Sequence, residues 1–276
     1  MKGYGNKDLQ DISAPLRVEE IQRQLVAERL GKKLHYLPEI DSTNDHARKL
    51  AEQGGTEGEV VIAEIQTRGK GRLGRSWVSP ANRNLYLSVI LRPKLSPLHA
   101  PQITLMSAVA LAETIGSFIS FPPDIKWPND ILVGGKKVAG ILTESSCVAD
   151  RLLSVILGIG VNVNFPPEDM PESIRQTATS LMTVGGRPVD RTALALQLLR
   201  TLERCYGDLE REGFAPMADR WTGFFRLQGK RVKIEMMGQA VQGKAIGIDK
   251  DGALLLEDER GTQQRIIAGD VIPLES

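Results

Sequence analysis

The chain has 276 residues, with 35 lysines and arginines against 34 aspartates and glutamates, a formal net charge of +1. That balance excludes a protein that coats nucleic acid or a membrane through global charge, so electrostatic binding has to come from a local cluster. With 41% hydrophobic and 25% charged residues the composition is that of an average globular protein, long enough for one large domain plus a small one. The two cysteines, Cys147 and Cys205, sit in apolar surroundings without paired spacing or nearby histidines, which disfavours a disulfide framework or a zinc site. The N-terminal stretch MKGYGNKDLQ lacks the apolar segment of a secretory signal. The apolar run 103–119 is interrupted by Thr104, Ser107, Glu113 and Thr114, and 152–161 is too short to span a bilayer as a helix. A soluble, cytoplasmic protein with no membrane partner is expected.

In chain order, residues 13–30 read as a helix, with Ser13 as cap, Pro15 in the first turn, Val18, Ile21 and Leu25 on one face, and Gly31 as stop. A short strand follows around 34–37. Asp41-Ser-Thr-Asn44 opens a second helix over 43–53, closed by Gly54-Gly55. Val60–Gln66 reads as a largely buried strand, and 85–91 alternates with Leu85, Leu87, Val89 and Leu91 on one face. The nearly all-apolar helix 103–119 is expected to be packed on several sides. Segments 131–133 and 137–144 flank Gly134-Gly135, the mark of a tight hairpin, and 152–161 is a further buried strand. Residues 193–212 read as an amphipathic helix. Beyond about 226 short β-type runs (231–236, 241–248, 253–256, 264–267) alternate with turns such as Asp249–Gly252, which predicts a small appended barrel. Interleaved helices and strands joined in places by hairpins predict an α+β fold with a mixed main sheet.

Three segments carry chemistry. Gly69-Lys-Gly-Arg-Leu-Gly-Arg75, preceded by Arg68, packs four cations and three glycines into eight residues. Glycines let backbone N–H groups approach a ligand closely, and the cations suit a polyanion such as a triphosphate. Residues 69–74 also match the glycine pattern of dinucleotide-binding folds. That reading requires a following helix and an acidic residue about 20 positions on; Arg75-Ser-Trp-Val-Ser-Pro80 starts a helix poorly and the acid is missing. A solvated basic loop would explain the charges but not the glycines among them.

The second segment, Lys126-Trp-Pro-Asn-Asp130, leaves the strand 124–127 extended because of Pro128 and then suits a turn. In isolation it is equally a decorated β-turn with Trp127 filling core. Lys137, beside the apolar run 138–142, is a candidate for a charge held near a buried pocket. The third segment, Gly158-Ile-Gly-Val-Asn-Val-Asn164, ends a buried strand with small residues that permit close backbone approach. Its asparagines, Asn162 and Asn164, are expected on one face, either contacting a base or metal-bound phosphate or capping the strand end.

Taken together, and in one consistent order over roughly 35–276, these segments resemble the biotin protein ligase family. The resemblance is carried by Asp41–Asn44, Ala63–Gln66, the 69–75 loop with Trp77, Lys126–Asp130, Lys137-Val-Ala-Gly-Ile-Leu-Thr-Glu144, Gly158–Asn162 and Gly247–Glu257. It implies a catalytic mixed sheet of the class II synthetase-like biotin/lipoate ligase type at 35–225, a C-terminal SH3-like β-barrel at 226–276, and an N-terminal helical extension at 1–34. It also implies a two-step reaction without an enzyme nucleophile, in which biotin attacks the α-phosphorus of ATP and an acceptor lysine then takes the biotinyl group. Catalysis would rest on positioning and on charge neutralisation at the phosphates. The substrates implied are biotin and ATP with Mg²⁺, and the partner is a biotin carboxyl carrier domain.

By family motif, Ser42, Thr43, Asn44 and Gln66 are implied as contacts to the biotin head. Lys70, Gly71 and Arg72 belong to the loop that closes over biotin and adenylate, with Arg72 and Arg75 facing phosphate. Trp77 is implied to pack on adenine, and Lys137 to act with Arg72 as a catalytic cation between carboxylate and α-phosphate. Asp130 and Asn162 are implied contacts to the nucleotide, Asp130 also to Mg²⁺. Three departures matter: Leu73 stands where many members carry arginine, Lys70 replaces a common arginine and cannot make its bidentate contact, and the end Ile272–Ser276 offers no arginine. The short stretch before the match is too small for a winged helix, so a monofunctional ligase that does not bind DNA is expected. Edge strands of the main sheet offer a route to a homodimer. A lipoate or octanoate ligase or transferase, and a non-catalytic biotin sensor, are the alternatives.

Overall fold

A computed structural model of the chain describes residues 14–25, 29–236 and 239–274. The order is α1 (Val18–Gln24), β1 (Leu34–Ile40), α2 (Thr43–Glu52), β2 (Val60–Gln66), β3 (Leu85–Leu91), α3 (Pro101–Phe118), β4 (Asp124–Lys126), β5 (Asp130–Val133), β6 (Lys136–Val148) and β7 (Arg151–Val161). There follow α4 (Glu172–Arg175), α5 (Leu181–Gly185), α6 (Arg191–Glu212), α7 (Ala215–Gly223), β8 (Arg231–Met236), β9 (Gln239–Ile248), β10 (Leu254–Glu257), β11 (Gln263–Ile266) and β12 (Asp270–Pro273). The fold is α+β. Strands β1–β7 form one sheet in the order β1-β2-β3-β7-β6-β5-β4, in which β1 and β2 run parallel and every other pair antiparallel.

Both faces of the sheet centre are covered. The face carrying Val61, Ile90 and Ile156 is closed by α2 through Ala47. The other face, with Val60, Leu85, Leu87 and Leu157, joins the main core under α3 and α6. All seven residues of β3 are therefore buried, although its sequence alternation marks only one face as core. α3, apolar on all sides, packs against α6, α7 and the β4–β6 strands at once. Full burial of a leucine or isoleucine contributes about 1.5–3 kcal/mol, so α3 is a main source of stability. The β5–β6 hairpin turns on Gly134 and Gly135 at φ +58° and +78°, the pair of positive angles a type I′ turn needs.

The N-terminal helix is shorter than its sequence suggests. Residues 13 and 26–28 lie outside the described residues; within them α1 begins only at Val18, after Pro15, and Leu25 is already extended. The reason is competition for backbone groups. The Leu16 N–H donates to Glu64 Oε1 (2.6 Å) and the Arg17 N–H to Thr192 Oγ1 (3.1 Å), so both are tied to the main body.

Strands β8–β12 form an antiparallel sheet in the order β11-β10-β9-β8-β12. It departs from the expected closed barrel: among the described residues β11 and β12 are edges paired with one neighbour each. Both edges are four residues long and carry polar or charged groups such as Gln263, Arg265 and Asp270, which discourages edge-to-edge pairing. This sheet is fastened to the larger one by the Trp127 indole N–H, which donates to Gly252 O at 3.1 Å. Trp127 thus fills core, 3% exposed. Among the described residues no helix is long and apolar enough to cross a membrane.

Candidate active site

The N-terminus of α2 lies across β2, β3 and β7. Ser42 caps it, its hydroxyl 3.5 Å from the Asp45 N–H, so the first turn holds Ser42, Thr43 and Asn44 against the sheet. All three are nearly buried. Thr43 donates through its backbone N–H and its hydroxyl to Gln66 Oε1 (2.9 and 3.0 Å), and Gln66 Nε2 donates to Ser79 Oγ (3.1 Å). Asn44 fits because β7 has glycine beneath it: a Cβ at Gly158 would lie 2.1 Å from Asn44 Oδ1.

The 69–75 loop folds back on itself, with Gly71 N–H donating to Arg75 O (2.7 Å) and Trp77 N–H to Gly69 O (2.8 Å). This delivers the Trp77 indole onto a floor made by the paired glycines Gly140 and Gly160. A Cβ at Gly160 would lie 2.5 Å from the indole and one at Gly140 3.0 Å from it. Lys137 Nζ stands 5.3 Å from the centre of the Trp77 ring and 2.7 Å from Asp130 Oδ1. Trp77 Nε1 is buried with no hydrogen-bond partner, an orphaned donor lying over Gly160.

These side chains surround two adjoining cavities. One, the smaller, is lined by Ser42, Thr43, Asn44, Gln66, Lys70 and Gly71, together with Arg72, Trp77 and Lys137. The other, of about 540 Å³, is lined by Arg75, Asp130 and Asn162, again with Arg72, Trp77 and Lys137. Every residue singled out from the sequence for a ligand role by family motif therefore borders one cavity or both. Arg72, Trp77 and Lys137 stand where the two meet.

The two asparagines at the end of β7 do different things. Asn162 borders the larger cavity, but its amide is already engaged, donating to Thr179 O (3.1 Å) and accepting from Asn84 Nδ2 (3.4 Å). Asn164 is not brought into the site; its amide donates to Val189 O and accepts from Val189 N–H, pinning a loop. Of the two roles expected for the pair, these bonds give each amide a tethering role at the strand end.

The sequence reading passed over several neighbours. Asn129 lines both cavities, accepts from Arg72 Nη1 at 2.9 Å and donates to Ile141 O at 2.9 Å. Its place in Trp-Pro-Asn-Asp was a usable signal. Asp270, from β12, pairs with Arg75 (2.5 Å) and Arg72 (3.6 Å), and no local pattern marks it. Among the described residues no three His, Cys, Asp or Glu side chains cluster to hold a metal; the carboxylates beside the larger cavity are Asp130, paired with Lys137, and Asp270, paired with Arg72 and Arg75.

The two cavities thus share a cationic junction, the first reaching the buried polar residues Ser42, Thr43 and Asn44 and the second the mixed charges Arg75, Asp130 and Asp270. Comparison with known proteins gives this arrangement a family. Residues 36–162 match the Biotin/lipoate A/B protein ligase family and residues 228–272 the Biotin protein ligase C terminal domain. The chain is 35% identical over 274 residues to the biotin–[acetyl-CoA-carboxylase] ligase of Mycobacterium tuberculosis, covering 97% of this chain and 99% of that protein. It is 39% identical to the bifunctional ligase/repressor BirA of Bacillus subtilis over 93% of this chain and 78% of that one. The solved structure of the biotin protein ligase from Aquifex aeolicus in complex with biotin and ATP superposes with a TM-score of 0.76 at 31% identity, covering 89% of this chain and all (100%) of that one. The chain belongs to the biotin protein ligase family.

Proposed function

We propose that this chain is an ATP-dependent biotin–protein ligase, which converts biotin to biotinyl-5′-AMP and transfers the biotinyl group to a lysine of a biotin carboxyl carrier domain. The observation that carries the reading is the junction: Arg72, Trp77 and Lys137 belong to both cavities, so a carboxylate leaving one and a phosphate leaving the other meet beside two cations. In the first step a biotin carboxylate oxygen attacks the α-phosphorus, and the bond from that phosphorus to the bridging oxygen breaks to release pyrophosphate. In the second the uncharged acceptor amine attacks the acyl carbon, loses a proton, and AMP leaves. Lys137 and Arg72 hold the two anions together and offset the charge that builds on the phosphoryl oxygens. Arg75 faces the outer phosphates and Trp77 offers its indole to adenine. Mg²⁺ would arrive with the triphosphate, neutralising its charge, and Asp130, on the lining of the larger cavity, would meet it on exchanging its pairing with Lys137.

Ser42, Thr43, Asn44 and Gln66 give the cyclic urea of biotin polar partners at the closed end, with Lys70 and Gly71 covering it. That polar end disfavours the lipoate or octanoate reading, because the far end of those chains has nothing to hydrogen-bond and would leave buried amides unmatched. Within this reading 35–225 and 226–276 act as catalytic and C-terminal domains, after the 1–34 extension, and the setting is the cytoplasm. The test is a transfer assay with protein, MgATP, biotin and a carrier domain, read as carrier mass. A gain of one biotin that vanishes without ATP is expected. No gain with biotin binding intact would replace the ligase by a sensor.

A further inference from the structure

Behind Thr43 and Asn44 lies Ser88, fully buried in the middle of β3 and absent from the sequence-based set. Three oxygen–oxygen contacts run through it in series. Gln66 Oε1 lies 3.0 Å from Thr43 Oγ1, Thr43 Oγ1 lies 2.8 Å from Ser88 Oγ, and Ser88 Oγ lies 2.7 Å from Asn44 Oδ1. Only the two hydroxyls bring protons, one each, and the terminal amide oxygens can only accept. Two protons cannot fill three contacts.

The count holds only while both amides keep their oxygens toward the chain, and their other neighbours see to that. Gln66 Oε1 also accepts from the Thr43 N–H, while Gln66 Nε2 donates to Ser79 Oγ. Asn44 Nδ2 donates to Glu144 Oε2 at 2.8 Å and lies 3.3 Å from Leu142 O. Turning the Asn44 amide over would set its oxygen against a carboxylate. Glu144, the shorter of the two contacts and the charged one, therefore does most to keep this end of the pocket one proton short.

We infer that Glu144, acting through Asn44 and the Ser88 relay, sets the pocket's preference for a ligand head that donates N–H. The inference rests on the biotin reading and deepens it. A cyclic urea brings two N–H donors to an array with surplus oxygens, whereas a head that presents oxygen there adds one more acceptor to the excess. Glu144 is a positioning and specificity residue and touches no reacting atom.

Glu144→Gln tests the effect, since it keeps size and replaces the nearer of the two acceptors that fix Asn44 by an amide that can donate, leaving only the longer contact to Leu142 O. The amide it introduces can donate to a turned-over Asn44 oxygen. Asn44 Nδ2 then donates to Ser88, Ser88 to Thr43 and Thr43 to Gln66, so three protons fill three contacts and the surplus is gone. Ser88→Ala, in contrast, removes one hydroxyl oxygen together with its proton and leaves the surplus acceptor on Asn44.

The readout is the ratio of KM for the cyclic carbamate analogue, with one ring N–H replaced by oxygen, to KM for biotin. It is taken from biotin-dependent ATP–pyrophosphate exchange and is insensitive to the fraction of active protein. The unaltered chain is expected to discriminate by about 10-fold or more, the worth of one well-placed hydrogen bond. Glu144→Gln brings the ratio to within about threefold of unity with KM for ATP unchanged, and Ser88→Ala raises both KM values while keeping the ratio. Retention of the full ratio in Glu144→Gln would overturn the inference and leave the ligase reading standing. An unaltered chain that takes no biotin would overturn both.

Discussion

The Arg191 side chain, at the start of α6, is 4% exposed and reaches three separate segments. It donates to Glu64 Oε2 at 2.7 Å, to Asn84 O at 2.9 Å and to Ala14 O at 2.5 Å. Glu64, 6% exposed, also accepts from the Leu16 N–H (2.6 Å) and the Tyr36 hydroxyl (3.2 Å). Arg191→Met would leave a buried carboxylate with two neutral donors, and the Asn84 and Ala14 carbonyls without their charged partner. Removing one member of a buried pair costs about 3–5 kcal/mol, and that range is the expected loss in guanidinium unfolding followed by fluorescence. Adding Glu64→Gln to the same chain should recover part of it, because the uncompensated charge is then gone. A loss below about 1 kcal/mol at unchanged m-value would refute the claim that this pair clamps residues 14–17 to the sheet. The clamp also reaches the site, since the Asn84 amide oxygen accepts from Val163 N–H (3.0 Å) and its Nδ2 lies against Asn162.

Four further outcomes are expected. Lys137→Ala removes at least one charge-assisted hydrogen bond at ~1.5–3 kcal/mol, so biotin-dependent pyrophosphate exchange should slow by roughly 10–100-fold; an unchanged rate would remove Lys137 from the chemistry. Gly160→Ala puts a methyl into the Trp77 indole, so KM for ATP should rise at least about 10-fold with KM for biotin far less affected, as initial-rate kinetics would show. Burial alone would push the Glu59 carboxyl up, but bonds from the Thr56 N–H, His35, Lys33 and the Thr56 hydroxyl outweigh it and hold the group at about 2, below its ordinary 4.5. A depressed carboxyl stabilises the fold above its unfolded value and ceases to as pH falls through the folded one, so melting temperature should drop less steeply between pH 4.5 and 2 in Glu59→Gln than in the unaltered chain. Finally, trypsin cleavage after Lys70 and Arg72 should slow when biotinyl-AMP is present; equal cleavage would show that the adenylate leaves the 69–75 loop unconstrained.

Legibility followed the range of the forces involved. Local signals worked: the Gly134-Gly135 turn, the Ser42 start of α2 and the apolar runs of β2, β3 and α3 all sit where their residues place them. The candidate site was readable for a related reason. Its members come from short contiguous motifs, and only their convergence on two cavities needed the fold. What escaped was set at long range. The N-terminal helix is cut short by Glu64 and Thr192, which take the Leu16 and Arg17 amides from 48 and 175 residues away. β12, which ends in Pro273, and α7, which has Pro216 in its first turn, went unread. Ser88 looked like one polar interruption on the outer face of an alternating strand, and only the packing of α2 over that face makes it a buried relay.

The same long-range wiring governs the charges that made the site conspicuous. Each cation of the loop has a carboxylate partner: Arg68 with Asp41 (2.9 Å), Lys70 with Asp45 (2.6 Å), and Arg72 and Arg75 with Asp270. Lys137 is paired with Asp130 in the same way. A phosphate therefore does not meet bare cations; it replaces carboxylates, and binding reflects the difference between the two sets of pairs. These pairs are partly solvent-exposed, worth about 0–1 kcal/mol each, so the exchange starts near balance and is tipped by the extra charge and oxygens of a triphosphate. Because Asp270 lies on β12, part of that competition comes from the C-terminal sheet. With Leu73 exposed at the loop tip in place of a further cation, this loop has fewer charges with which to win it back. On the proposed reading, the hold on the nucleotide would depend on the C-terminal sheet as well as on the loop.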